Sequence, residues 1–218
     1  GIPNFLNVAS NVFFFLVGVS GIAFVFRTPS KGRVHFIDSR ERWPYFAFFF
    51  GVAVTAFGSS WYHLSPNDTT LIWDRIPMAI SFMALIAAAV AERISIKAGV
   101  WLLGPLIALG IATVVYWSAT QSNGHGDLRP YAVTQFGGLL VLALIIALFP
   151  ARYTRGSDFV IAFGLYFVAK IFEATDRVVF SVGHVVSGHT IKHIVAALSV
   201  YWILRMLRLR TPVSAALS

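Results

Sequence analysis

The sequence predicts an all-α membrane protein, a seven-transmembrane-helix bundle forming one domain over residues 1–218. Three observations predict it. Hydrophobic residues make up 57% of the chain and charged ones only 12%, with a mean hydropathy of +0.75, leaving too few polar groups to cover a water-soluble globule of this size. Seven largely apolar runs, each of roughly the 20 residues that cross a hydrocarbon core about 30 Å thick, are separated by short polar breaks. Stretches such as Phe46–Phe50 and Leu139–Phe149 are apolar on every side, unlike the alternating strands of a membrane barrel.

The runs lie near 5–26, 44–64, 71–91, 99–119, 131–149, 158–180 and 188–205. The first continues into the bundle and does not read as a cleavable signal peptide. Gly104-Pro105 inside the fourth reads as a kink, and no repeat or linker divides the chain.

Orientation follows from the basic residues of alternate loops. Arg27, Lys31, Arg33, Arg40, Arg42, Arg93, Lys97, Arg152, Arg155, Arg205, Arg208 and Arg210 fall on one side, and Arg129 stands almost alone on the other. The positive-inside rule then puts the N-terminus outside and the C-terminus in the cytoplasm. The same distribution accounts for the net charge of +8 as a membrane-orientation signal, so no nucleic-acid partner is expected. Cysteine is absent, which excludes disulfides and thiolate metal sites and leaves nitrogen and oxygen as the possible metal ligands.

Ionisable side chains are costly inside membrane spans and mark candidate functional positions. His189-Thr-Ile-Lys-His193 places two imidazoles at i, i+4 on one helical face, a spacing that suits two ligands of one metal and equally two interfacial histidines in contact with water. Ser59-Ser-Trp-Tyr-His63 closes the second span, and Asp74 opens the third. Taken singly these are ordinary, since Ser59 can bond its own helix and Asp74 can pair with Arg75 or cap a helix. The predicted topology, however, brings all three patches to one membrane level. Three histidines there suit a catalytic zinc with one open position, and Asp74 would orient or deprotonate its water.

Ser59-x3-His63, Asp74 and His189-x3-His193 together resemble the signature of a seven-helix superfamily, the CREST superfamily, which includes the alkaline ceramidases and the progestin and adipoQ receptors. The eleven-residue step from His63 to Asp74 resembles the ceramidase branch, as does the opening Asn4-Phe-Leu-Asn7-Val-Ala-Ser10-Asn11. The resemblance spans most of the chain. It implies that His63, His189 and His193 bind zinc, that Asp74 activates water, and that Ser59 stabilises the oxyanion. The implied reaction cleaves a ceramide-like membrane lipid into a fatty acid and a sphingoid-type amine. Around the last histidines the sequence resembles bacterial members, so the expected location is a bacterial cytoplasmic membrane with the site toward its extracytoplasmic side. Eukaryotic ceramidases have Glu where this chain has Asn4 and an acidic cluster upstream, both associated with calcium. Calcium is therefore not carried over to this chain, and the sequence leaves its oligomeric state open.

Lys170, Glu173, Asp176 and Arg177 share one side of the sixth span and read as a salt-bridged support for the zinc site, a lining for a lipid headgroup, or a self-neutralising network. Asn7 and Asn11 share a face of the first span and are expected to hydrogen-bond across the bundle. His35 and His125 are expected to be solvated loop residues.

Three other functions compete. A receptor with a structural zinc, like the family's receptor branch, is the main alternative. A retinal protein is disfavoured because Lys192 falls at the start of its helix between two histidines, not in a deep apolar pocket. A transporter would need a second polar cluster on the cytoplasmic side, and none is expected.

Overall fold

A computed structural model describes residues 4–27 and 34–213, so Lys31 and Arg33 of the basic-loop pattern lie outside the described residues. The helices run in the order α1 (Phe5–Ala9), α2 (Val12–Val25), α3 (Arg42–Leu64), α4 (Asp68–Arg93), α5 (Ile96–Ser122), α6 (Arg129–Ala132), α7 (Gly138–Leu148), α8 (Asp158–Ala174), α9 (Asp176–Gly183) and α10 (Gly188–Leu209). A π-helical turn, Val133–Gly137, joins α6 to α7. No strand occurs among the described residues, only an isolated bridge between Tyr153 and Pro212. Five stretches are long and apolar enough to cross a membrane: Phe5–Val25, Asp68–Arg93, Ile96–Ser122, Arg129–Leu148 and Gly188–Leu209.

Local chemistry sets the helix ends. Asn67 and Thr70 form a reciprocal capping box at the start of α4, and Ser95 and Ser187 accept backbone N–H bonds at the starts of α5 and α10. Helix α5 runs through Pro105 without a break. The run expected as one helix over 158–180 is instead divided at Thr175 into α8 and α9. Beside this division the Asp176 carboxylate accepts the backbone N–H of His189.

Helices α3 and α4 are the inner pair. Helix α3 packs on α2 and α4, α4 also packs on α5 and α7, and α10 packs on α8 and α2. Their contact surfaces bury Phe48, Phe49, Met83, Leu142, Phe159 and Leu204. The alanine-rich second half of α4, where Ala84 and Ala87–Ala89 are almost inaccessible, lets its neighbours approach closely. The packed elements thus form an arc from α8 through α10, α2, α3 and α4 to α7.

One expectation is corrected at the bundle end away from His63 and His189. Glu41, Tyr45, Glu92, Tyr153 and Arg210 form a buried polar cluster there. Tyr45 donates to Glu92 at 2.6 Å, Arg210 pairs with the same carboxylate, Tyr153 donates to Glu41, and the Arg210 guanidinium lies 3.8 Å from the centre of the Tyr153 ring. The partners come from the start of α3, the end of α4, the connection before α8 and the end of α10, so no sequence window contains them.

Candidate metal centre

The last turn of α3 presents His63, and the first turns of α10 present His189 and His193. One ligand atom from each of the three lies within 4.8 Å of the others. The ring centres are 4.6 Å apart for His63 and His189, 4.7 Å for His189 and His193, and 5.2 Å for His63 and His193. His63 and His193 are buried and His189 is half-buried. Within this group the Nε2 of His63 is buried with no hydrogen-bond partner, an arrangement that costs free energy unless something accepts its lone pair or its proton. Three convergent imidazoles, one with an orphaned nitrogen, can hold a metal ion; nitrogen ligands suit zinc, copper, iron and nickel alike.

Neighbouring helices fix these rings. Ser10, in the turn between α1 and α2, places its hydroxyl 2.8 Å from Nδ1 of His193, which directs Nε2 to the other histidines. Asn7 accepts from Ser187 and Thr190 at 3.1 and 2.6 Å, tying α1 to the start of α10 across the bundle as expected. Asn11 instead donates to the backbone carbonyl of Asn7 within its own segment. Asn4 donates to the carbonyl of His63 at 3.0 Å. Asp176 accepts from the backbone of His189 at 2.7 Å and so adds a charged cap to α10. The close seating of α10 requires Gly188, because a Cβ there would meet the Phe172 carbonyl and the Asp176 backbone.

Ser59 and Asp74 come together across the α3–α4 pair. A Cβ on Gly58 would strike the Trp73 carbonyl, so glycine permits the approach of α3 to α4 that leaves Ser59 and Asp74 lining the same cavity. Asp74 is not among the converging metal donors. It lines, with Ser59 and His193, a cavity of about 120 Å³ that continues between Phe48, Val52, Leu85, Phe163 and Ile203. From His193 to Ile203 the axis of α10 advances roughly 15 Å.

Lys170, Glu173 and Lys192 also line the cavity. Glu173 accepts from both lysines, at 2.9 Å from Lys192, and the Lys192 ammonium lies 3.3 Å from Nε2 of His189. Lys170, Glu173 and Asp176 of the predicted cluster therefore reach the site, whereas Arg177 is exposed. Helix α7 is not closely packed on α8. Gln135 of the π-helical turn spans this seam, donating to the Tyr166 hydroxyl at 2.9 Å.

The remaining histidines lie elsewhere. His125 is exposed, as expected. His35 is not simply solvated: its ring packs 4.7 Å from that of Phe24 and its Nδ1 is buried. Ser10 was missed as a site residue because a lone serine in an apolar helix carries no spacing signal.

No protein-family model, curated protein or solved structure matches the chain.

Proposed function

We propose that the chain is a seven-span membrane amidase that holds zinc at His63, His189 and His193 and cleaves a ceramide-like lipid into a fatty acid and a sphingoid-type amine. The observation that carries this reading is the convergence of three histidine donors, one of which, His193, also lines a largely apolar cavity. The seven-span count adds two helices to the five already described. Arg42–Leu64, with 23 residues, is long enough to cross, and Asp158–Ala174, with 17, is prolonged by Asp176–Gly183. The basic loops then orient the site toward the extracytoplasmic side of a bacterial cytoplasmic membrane.

Three histidines without thiolates are the ligand set of one type of catalytic zinc site. When bound, the ion supplies Lewis acidity, which polarises a carbonyl and makes water more acidic. Asp74, outside the donor group but in the same cavity, takes the proton that the attacking water gives up and delivers it to the departing amine. Ser59 has one hydroxyl proton, which the neighbouring Asp74 carboxylate can accept. Once Asp74 is protonated, that donor is free to bond the oxygen of the amide carbonyl, where negative charge develops. The apolar length of the cavity receives the acyl chain and keeps water from it.

The test is release of fatty acid from a panel of ceramides and other N-acyl lipids by the purified protein, read by mass spectrometry. The account expects release that a chelator stops and added zinc restores. If zinc is bound and no lipid of the panel is cleaved, the hydrolase reading fails and the receptor with a structural zinc replaces it.

A further inference from the structure

The Lys170–Glu173–Lys192 group has no part in the chemistry above, yet it places two ammonium groups on a largely apolar cavity. Ionised groups are retained at such depth only when they are paired or used. Glu173 divides itself between the lysines, Oε1 to Lys192 and Oε2 to Lys170. Its carboxylate thus fixes both ammonium groups without using up their donors. Each ammonium has three N–H donors. Beyond Glu173, the one hydrogen-bond partner of Lys192 among the described residues is the His189 ring nitrogen, and Lys170 stands 5.8 Å from the centre of the Phe136 ring. At least one donor of each lysine is therefore left for a ligand, because Asp74, the other charged group lining the cavity, makes no salt bridge with either lysine.

From this we infer that Lys192 and Lys170 form a subsite for the anionic group of a single-chain amphiphile, a carboxylate whose hydrocarbon tail lies along the apolar part of the cavity. The carboxylate has two possible sources, a free fatty acid or the acidic headgroup of an N-acyl amino acid. Only the assignment of the source rests on the amidase reading; the subsite itself rests on the cavity and the lysines.

The test has two arms. In the first, binding of radiolabelled palmitic acid and of hexadecanol is measured on the detergent-purified wild type and on Lys192→Met, Lys170→Met and Lys192→Arg. A charge-assisted hydrogen bond is worth enough for about a tenfold change in affinity. Palmitic acid should bind about tenfold more weakly to each Met variant and normally to Lys192→Arg, while hexadecanol, which also reports an intact cavity, binds equally to all four. Equal losses for acid and alcohol, or no loss of either, would overturn the subsite.

The second arm compares cleavage of N-palmitoylglycine with that of its methyl ester. A preference for the acid that disappears in Lys192→Met supports the headgroup as the source. Equal cleavage with lysine-dependent inhibition by palmitic acid supports the released fatty acid. Absence of any cleavage alongside lysine-dependent palmitic acid binding sinks the amidase reading and leaves the subsite standing.

Discussion

Ser10 and His193, 183 residues apart in the chain, are joined by a 2.8 Å contact between the serine hydroxyl and Nδ1 of the imidazole. This contact fixes which nitrogen of His193 faces His63 and His189. Outer contacts of this kind typically contribute 10–100-fold to metal affinity. Ser10→Ala should weaken zinc binding by about that factor in a chelator competition while the helical circular dichroism stays unchanged; unaltered affinity would remove Ser10 from the site.

Asp74→Asn keeps the size and removes the proton acceptor. The variant should retain bound metal and lose about 10²–10⁴-fold in the rate of amide cleavage, the usual scale for a general acid–base residue. Loss of metal together with activity would mean that Asp74 supports the metal and does not move the proton.

Gly58→Ala tests the close approach of α3 and α4. The added methyl meets the Trp73 carbonyl, and overpacking of this kind costs about 1–3 kcal/mol. Gly104→Ala is the control, because nothing lies within 4 Å of a Cβ at that position. Thermal unfolding in detergent should show the first variant destabilised and the second neutral or stabilised. Equal stability of both would contradict the packing.

Arg210→Ala strands the Glu92 carboxylate inside the polar cluster at the far end of the bundle. Removing one partner of a buried pair typically costs about 3–5 kcal/mol. The melting temperature should fall by several degrees, with metal content per folded chain unchanged, since the histidines belong to the opposite end. A fall in metal content per folded chain would show that the two ends are coupled.

The legible parts of the sequence were those written in periodicity. Helix type followed from unbroken apolar runs, and His63, His189 and His193 stood out because i, i+4 spacing and loop order brought them to one level. Contacts without a period stayed hidden. The break at Thr175 lies beside a bond between Asp176 and the backbone of His189, and neither proline nor glycine marks it. Glu92 and Arg210 looked like ordinary charges at helix ends, because their pairing joins positions 118 residues apart. Ser10 belongs to the opening motif, and its local bond to the Asn7 carbonyl gives no sign of the contact with His193 that the packing against α10 adds.

The most direct test of the metal centre is elemental analysis of the purified protein beside His63→Ala, His189→Ala and His193→Ala. The account predicts zinc at about one ion per chain in the wild type and strongly reduced zinc in each variant. Wild-type protein that binds no zinc when supplied with it, or zinc content unchanged in all three variants, would contradict the account.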